Sequence, residues 1–341
     1  MAKSAHAPAA LKKGQGMRMR ERAWWPWAMR ALKLAFFVGV SWLIVSHART
    51  IDWQEVFGTL KERSLLALWP AIVLALASHA LYGCFDLLGR YLVGHALRVR
   101  QVIAVTMVSY AFNLNLGSLV GGVAFRYRLY SRLGLDAGTI TRVVATSMAT
   151  NWLGYLLLAG ALFWFHPLAL PPSWKIDMAQ LHLLGIPLIA TVLGYLVLCA
   201  ARGGRSLSLR GHEVSLPSLR FGLLQLLMSC ANWLLMGVTV WLLLQQKIAY
   251  VDVLSVLLLA AIAGVITHVP AGLGVIEAVF VALLAHRLPA SELLAGLLLY
   301  RTFYYFVPLG LATIAYLFME AKWRRQSQHQ SQHHMDSPSS A

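Results

Sequence analysis

An arginine near the C-terminal end of the chain is the residue best placed to bind a ligand. Arg301 lies about ten residues into the apolar stretch 292–318, and no charged residue lies within one turn of it. A charge at such a depth costs about 2.5–3.5 kcal/mol on insertion scales and is often functional. Its partner must come from another segment, and Glu277 is the nearest plausible acid. Because a guanidinium donates two parallel hydrogen bonds to phosphate, Arg301 predicts binding of an anionic group. Tyr304 adds a hydroxyl and a ring nearby, although packing alone also explains it.

The segment before Glu277 contains the helix breakers that a simple membrane anchor would avoid. It reads Pro270-Ala-Gly-Leu-Gly274, so a new helix is expected to begin after Gly274. The positive end of this half-helix, from Gly272 to Val275, is suited to an anionic group. Glu277 then either complements the helix dipole or holds an arginine in place.

Four further polar side chains interrupt apolar segments in the N-terminal half. Asp86 and Arg90 are four residues apart on one predicted helix face, so they are expected to pair. Asn115 lies at the centre of the stretch 102–125, where it either satisfies freed backbone groups or lines a cavity. Arg126 ends that stretch and is the arginine there closest to the bilayer interior. It is read either as a contact to lipid headgroups or as part of the positive-inside bias.

Composition assigns the chain to the integral membrane proteins. Of its 341 residues 59% are hydrophobic and 12% are charged, whereas a soluble domain carries about 25% charged residues. The net charge of +16 resides in short loops and termini, so it indicates orientation and contact with anionic lipid, not nucleic acid. The sequence shows no metal or cofactor motif and no catalytic Ser/His/Asp grouping. The lone histidines His79 and His268 are interpreted as helix-packing residues, with a proton relay as the alternative.

Hydrophobicity predicts six full spans and two interrupted segments. The spans are 31–48, 65–92, 141–165, 181–200, 221–244 and 292–318, and the interrupted segments are 102–125 and 253–288. If both interrupted segments crossed the membrane, eight arginines would face outside: Arg126, Arg128, Arg132, Arg142, Arg202, Arg205, Arg210 and Arg220. If both are re-entrant hairpins, these arginines return to the cytoplasm. Charge therefore favours two hairpins.

The predicted fold is an all-α polytopic membrane protein with six spans and two re-entrant hairpins arranged as an inverted repeat. Both termini are expected in the cytoplasm. A basic N-terminal segment, 1–30, precedes a single transmembrane domain, 31–320, and a disordered tail is expected at 321–341. The two helix breaks should face each other or a cavity, because lipid leaves irregular backbone unsatisfied.

The motifs around both breaks resemble a known family. Asn115-Leu-Gly-Ser-Leu-Val-Gly-Gly with Arg126 downstream, then Pro270-Ala-Gly-Leu-Gly-Val-Ile-Glu277 and Tyr300-Arg301, resemble the lysylphosphatidylglycerol synthetase/flippase membrane domain family over about residues 30–320. The resemblance implies translocation of an aminoacylated or other anionic lipid. It carries a functional role to Asp86, Arg126, Glu277 and Arg301.

Resemblance and residues together favour a flippase of the bacterial inner membrane that is not an enzyme and needs no cofactor. Because about twenty residues follow the last span, no aminoacyl-transferase domain is expected after it, and a lipid-synthesising enzyme is expected to be encoded separately. Membrane phospholipids are the expected partners, and nucleic acid is not. A scaffold that recruits a lipid-modifying enzyme is the main alternative, and a membrane enzyme of lipid metabolism is a third. Lipid identity, direction, energy source and oligomeric state stay open.

Overall fold

The computed structural model describes residues 64–335 apart from 169, 171–177, 203–205, 210–211, 216, 268 and 270–271, together with Gln54, Gly58 and Lys61. The chain divides into two compact units, 1–51 and 52–341, and the described residues all belong to the second. The predicted span 31–48 and the basic segment 1–30 lie outside the described residues, as does His268.

The described part of the chain is built almost entirely from helices. In chain order they are α1 (Leu65–Gly83), α2 (Phe85–Val93), α3 (Val99–Leu116), a π-helical segment π1 (Ser118–Ala124), α4 (Phe125–Arg132), α5 (Ala137–Phe165), α6 (Met178–Arg202), α7 (Leu219–Leu243), α8 (Tyr250–Thr267), α9 (Val275–Leu284), α10 (Ala290–Tyr300), a second π-helical segment π2 (Arg301–Phe306) and α11 (Val307–Met335). Strands β1 (Ser206–Leu209) and β2 (His212–Ser215) pair antiparallel between α6 and α7. The all-α class is confirmed, and this short strand pair lies in a single loop, where the alternating Ser-Leu-Ser-Leu of β1 suits a strand.

In the part of the chain that the structure describes, six apolar segments are long enough to cross a membrane: Ala67–Val93, Ala137–Phe165, Met178–Arg202, Leu219–Leu243, Tyr250–Thr267 and Ala290–Trp323. Five of them overlap spans predicted from the sequence. The sixth, Tyr250–Thr267, was predicted to be the first limb of a hairpin, and its length alone would also allow it to cross. The six segments make this a multi-pass helical membrane protein.

Small residues allow the long helices to pack closely. A Cβ added to Gly154 on α5 would lie 2.4 Å from the hydroxyl of Ser229 on α7. A Cβ on Gly185 of α6 would lie 2.7 Å from the carbonyl oxygen of Gly160 on α5. In a membrane such close backbone approach supplies much of the packing energy, since lipid is as apolar as the helices themselves. Helix α5 is therefore packed against both α6 and α7.

The interrupted segment after α2 folds as a helical hairpin, formed by α3, π1 and α4. The chain reverses at Gly117, which has a positive φ of 83°. A Cβ on Gly121 would lie only 2.1 Å from the carbonyl carbon of Phe112, so π1 runs back directly along α3. The rings of Phe112 and Phe125 stack 4.1 Å apart across the two limbs. We call residues 99–132 the first hairpin.

A second helical hairpin is formed by α8 and α9, residues 250–284. Helix α8 ends at Thr267 and α9 begins at Val275, so the predicted break near residues 270–274 is present. The backbone reverses with positive φ values at Gly272 and Gly274. Arg287, just after α9, pairs with Asp252 in the first turn of α8. This ion pair joins the two limbs at the end of the hairpin farthest from its tip.

The two hairpins open at opposite ends of α5. The first hairpin meets the start of α5, where the hydroxyl groups of Tyr127 and Thr141 are hydrogen bonded. The second meets its end, where His166 Nε2 lies 2.9 Å from a carboxylate oxygen of Asp252. Because α5 has 29 residues, these ends are about 43 Å apart.

The last helix extends through residues that the sequence predicted to be disordered. Helix α11 continues from Val307 to Met335, and the disorder expected from residue 321 is corrected over this range. No glycine or proline follows Gly310 until Pro338, while Lys, Arg and Gln are good helix formers. The polar composition of residues 321–335 is therefore compatible with a helix and does not by itself indicate disorder.

Candidate functional site

The first candidate site, which we call the Arg126 site, is a buried ion pair between the first hairpin and α2. Arg126 donates from Nε to Asp86 Oδ2 at 2.9 Å and from Nη2 to Asp86 Oδ1 at 3.2 Å. Tyr130 donates its hydroxyl hydrogen to the same carboxylate at 2.9 Å. The side chains of Arg126 and Asp86 are 2% and 0% exposed, so the pair is closed off from its surroundings.

The predicted pair between Asp86 and Arg90 is wrong. Arg90 Nε instead donates to the carbonyl oxygen of Leu97 at 2.7 Å. Sequence spacing on one helix favoured Arg90, but the first hairpin returns Arg126 to the inward face of α2 and provides a bidentate partner. A two-point guanidinium contact is stronger than a single exposed one.

A backbone carbonyl completes the coordination of Arg126. Its Nη1 donates to the carbonyl oxygen of Gly122 at 2.9 Å, and that residue belongs to π1. π-Helical turns inside α-helices occur frequently at functional sites. The ring of Tyr82 lies 6.0 Å from the guanidinium carbon, within the range of a cation–π contact.

The second candidate site, the Arg301 site, joins the second hairpin to π2. Arg301 donates from Nε to Glu277 Oε1, and from Nη2 to Glu277 Oε2 at 2.9 Å. The side chains are 5% and 12% exposed. The sequence left open whether Glu277 pairs with Arg301, and the structure shows the pair, with Glu277 in the first turn of α9 as the helix breaks predicted.

The Arg301 site repeats the features of the Arg126 site. Arg301 Nη2 donates to the carbonyl oxygen of Gly272 at 2.8 Å, and the ring of Tyr305 lies 5.4 Å from the guanidinium carbon. Arg301 itself begins π2. Gly274 occupies the residue before α9 with a φ of 76°, a conformation suited to glycine. Each site therefore combines a carboxylate, a glycine carbonyl, a tyrosine ring and a π-helical segment around one arginine.

Segment π2 lies between the tips of both hairpins. Asn115, near the tip of the first hairpin, donates to the carbonyl oxygens of Ala111 at 2.8 Å and Tyr305 at 3.3 Å. Of the two roles predicted for Asn115, the structure therefore gives it that of satisfying backbone groups. Gly272, at the tip of the second hairpin, contacts Arg301. The two helix breaks thus both contact π2, the first at Tyr305 and the second at Arg301.

A buried group of polar and aromatic side chains connects the two arginine sites. We call it the tyrosine cluster: Ser78, His79, Tyr82, Tyr110, Asn232 and Tyr304. The Tyr304 hydroxyl lies 2.7 Å from the Ser78 hydroxyl and 3.0 Å from that of Tyr110. Tyr82 and Tyr110 stack with ring centroids 3.5 Å apart. Contacts among these side chains thereby run from Tyr82 beside Arg126 to Tyr304 within π2.

Sequence reasoning identified Tyr304 and missed most of its neighbours. Tyr130 could have been found, because it lies four residues after Arg126 and so shares its helix face. Ser78 and Asn232 meet at 2.8 Å although 154 residues separate them. No sequence spacing signals that contact. Among the described residues, no group of three or more His, Cys, Asp or Glu side chains has the geometry to hold a metal ion.

Fold and sites together define a polytopic helical membrane protein with two charge-paired hairpins. Residues 30–312 match the family described as "Lysylphosphatidylglycerol synthase TM region", and the chain belongs to this family.

Three relatives show how far the similarity extends. The chain is 46% identical over 302 residues to inner membrane protein YbhN of Escherichia coli strain K12, covering 88% of this chain and 95% of that protein. It is 28% identical over 308 residues to protein slr0712 of a Synechocystis strain, covering 89% and 95%. It is 31% identical over 99 residues to phosphatidylglycerol lysyltransferase of Staphylococcus aureus, covering 27% of this chain and 12% of that protein.

Proposed function

We propose that the protein is a bacterial inner-membrane flippase that moves an anionic or aminoacylated phospholipid, or a related envelope lipid, between leaflets. The observation that carries this proposal is the pair of buried arginine–carboxylate sites on opposing hairpins, with π2 between their tips. Buried charges of this kind are expensive in a membrane and are placed where a polar substrate passes. Membership in a family described by lysylphosphatidylglycerol synthase supports a phospholipid as that substrate.

The arginines would recognise the phosphate of the lipid headgroup by exchanging partners. In the structure each guanidinium is occupied by a carboxylate, which presents two oxygens to its parallel N–H donors as a phosphate also can. A phosphate that enters the Arg301 site would displace Glu277, and the released carboxylate could then pair with the amine of an aminoacylated headgroup. The backbone at the start of α9, from Gly272 to Gly274, would add its positive helix end to the same site. Since the leaving and entering anions are alike, the exchange has a small net cost and the lipid can leave again.

The two sites would serve the two leaflets in turn. We propose that both hairpins are re-entrant and related as an inverted repeat, because they open at opposite ends of α5. The arginines of the loops favour a cytoplasmic position for the Arg126 site and for both termini. Arg126 and Asp86 would then receive headgroups from the inner leaflet, and Arg301 and Glu277 would act beyond the midplane. Asn115 and Tyr304 would line the route between them.

The protein would act as a transporter and not as an enzyme. The two arginine–carboxylate pairs of the candidate sites lie apart from each other, whereas catalysis on a lipid needs several reactive groups at one point. An aminoacylated substrate would be made by a separately encoded enzyme. The similarity to the lysyltransferase covers 12% of that protein, so its transfer activity is not carried to this chain.

Lipid scrambling in reconstituted vesicles tests the proposal. Fluorescent phosphatidylglycerol, lysylphosphatidylglycerol and phosphatidylethanolamine are reconstituted separately, and bleaching from outside reports movement between leaflets. Arg301→Lys keeps the charge but loses the bidentate geometry, so anionic lipids should move about tenfold more slowly, equivalent to about 1.4 kcal/mol. Glu277→Gln should also slow them.

Arg128→Gln is the matched control. Arg128 is half-exposed and pairs with Glu320 outside both sites, so its loss should leave the rates unchanged. If Arg301→Lys and Glu277→Gln move every lipid at the wild-type rate, the site assignment is wrong. If the wild-type protein moves none of the three lipids and copurifies with a lipid-modifying enzyme, the scaffold alternative replaces the flippase.

A further inference from the structure

The imidazole of His79 is the one basic side chain of the tyrosine cluster, and the proposed lipid sites do not use it. His79 is 5% exposed on α1. Its Nδ1 lies 2.9 Å from the carbonyl oxygen of Ala75. Because a carbonyl can only accept, Nδ1 carries the hydrogen in this contact, and in neutral histidine Nε2 is then a basic lone pair. That atom is buried and makes no hydrogen bond to any part of the chain that the structure describes.

We propose that His79 Nε2 is a proton-binding site and that proton binding there opens the tyrosine cluster. In the packed cluster, a proton on Nε2 would create a charged donor buried without an acceptor. This state costs more than a neutral lone pair left unpaired. The proton therefore binds more tightly to a conformation in which Nε2 reaches water or another acceptor, and acidification shifts the population toward that conformation.

Among the described residues that face His79, none carries an unpaired charge that would take up the proton in its place. Helix α3 contributes Tyr110, with ring centroids 5.2 Å apart, and π2 contributes Tyr304, at 4.5 Å. Helix α7 contributes the uncharged Asn232 through Ser78. Tyr82 follows on α1 itself, and on α2 the inward carboxylate of Asp86 is already paired with Arg126.

Opening at His79 would release contacts made by the first hairpin and by π2. The adjacent Ser78 joins α1 to α7 through Asn232 and to π2 through Tyr304. The Tyr304 hydroxyl in turn contacts Tyr110 on the first hairpin. A single protonation thus acts where α1, α3, α7 and π2 meet. In the proposed flippase, on which this last step rests, the proton would be the coupling ion that frees the path between the two arginine sites.

Nuclear magnetic resonance of the full chain in phosphatidylethanolamine–phosphatidylglycerol nanodiscs tests the proton site without any lipid movement. The 12 histidines are isotope-labelled at both ring nitrogens, and the His79 signal is assigned by its loss in His79→Asn. Asparagine keeps a short amide donor near the position of Nδ1. If that variant does not fold, His79→Gln gives the same assignment. His182→Asn is the matched control, because His182 stacks on Trp164 outside the cluster.

The expected result is a His79 signal with a bare Nε2 at about pH 8 that becomes imidazolium as the pH falls toward about 5. Labelled tyrosine ring signals should shift with the same midpoint in the wild type and in His182→Asn, and should not shift in His79→Asn. A signal that stays neutral throughout, or that carries its hydrogen on Nε2 at about pH 8, overturns the proposal. Tyrosine signals that shift equally in His79→Asn overturn the coupling. Failure of the flippase proposal in the scrambling assay would leave these results standing.

Discussion

The buried pair of Asp86 and Arg126 should be worth several kilocalories per mole, and a double-mutant cycle measures it. Asp86→Asn keeps the shape of the acid but leaves the Arg126 guanidinium buried without a counter-charge, since Asp86 is 0% exposed and Arg126 2% exposed. Removing one member of a buried ion pair costs about 3–5 kcal/mol. Arg126→Met leaves the carboxylate with the Tyr130 hydroxyl as its remaining donor in the site, and should cost a similar amount.

The double variant separates the pair from its surroundings. With both charges absent, neither side is left uncompensated, so Asp86→Asn/Arg126→Met should also cost about 3–5 kcal/mol instead of the roughly 6–10 kcal/mol expected from addition. The free energy of unfolding is measured by steric trapping in bicelles, where the protein stays in a lipid phase. The half-exposed pair of Arg128 and Glu320 is the control, and its cycle should give about 0–1 kcal/mol.

Additivity would refute this reasoning. If the two single costs add within about 0.5 kcal/mol, the residues do not act as a pair, and the contacts at 2.9 Å and 3.2 Å do not stabilise the folded state. The first hairpin would then be held by packing alone. A lipid phosphate would have no carboxylate to displace at Arg126.

Three further predictions concern local structure. Gly121→Ala should destabilise the first hairpin by about 1–3 kcal/mol or more, because the added Cβ would meet the facing backbone at 2.1 Å. Gly194→Ala is the control, since Gly194 faces open space on α6, and it should be neutral or stabilising by up to about 1 kcal/mol. Thermal unfolding of both variants compares them. Tyr304→Phe removes a hydroxyl that contacts two others and should cost about 1–3 kcal/mol in the same assay; an unchanged value would exclude those contacts as stabilising. Hydrogen bonds from the hydroxyl and the backbone N–H of Thr139 lower the pKa of Asp136. The ionised Asp136 side chain therefore stabilises the folded protein fully above the unfolded pKa of about 3.9, and this contribution is lost as the pH falls through the folded pKa. The melting temperature of wild type should therefore drop more steeply than that of Asp136→Asn in this acid range, and parallel curves would contradict the assignment.

The sequence was sufficient where the signal was local or strongly apolar. Five described spans follow from hydrophobicity, because lipid requires long apolar segments whatever their partners are. The break before α9 follows from proline and glycine, whose backbone preferences act within a few residues. Glu277 could be named as the nearest plausible partner of Arg301, because Asp252, Glu292 and Glu320 lie at the ends of the apolar segments whereas Glu277 follows the helix break inside one.

The sequence was insufficient where the tertiary structure chooses between partners. Arg90 is close to Asp86 in sequence, yet Arg126 is the partner, because the first hairpin returns it to the inner face of α2. The tyrosine cluster unites side chains from four segments, and hydrophobic periodicity cannot distinguish a tyrosine that packs from one that shares a hydrogen bond. The helix after residue 321 was missed for a different reason, since polar residues suit both helix and disorder.

Each arginine site pairs a buried arginine with a carboxylate at a hairpin, but the two sites distribute the charges oppositely. The first hairpin carries the arginine and α2 the acid, whereas the second hairpin carries the acid and π2 the arginine. In both, the guanidinium also binds the carbonyl oxygen of a glycine, Gly122 or Gly272, at an irregular part of the backbone that lipid cannot satisfy. Arginine can serve a carboxylate and a carbonyl together because its five donors point in fixed directions, and lysine cannot reproduce this arrangement. The same side chains therefore hold the hairpins in shape and provide the cations at their tips, so a headgroup that takes the place of a carboxylate must also loosen the hairpin it enters.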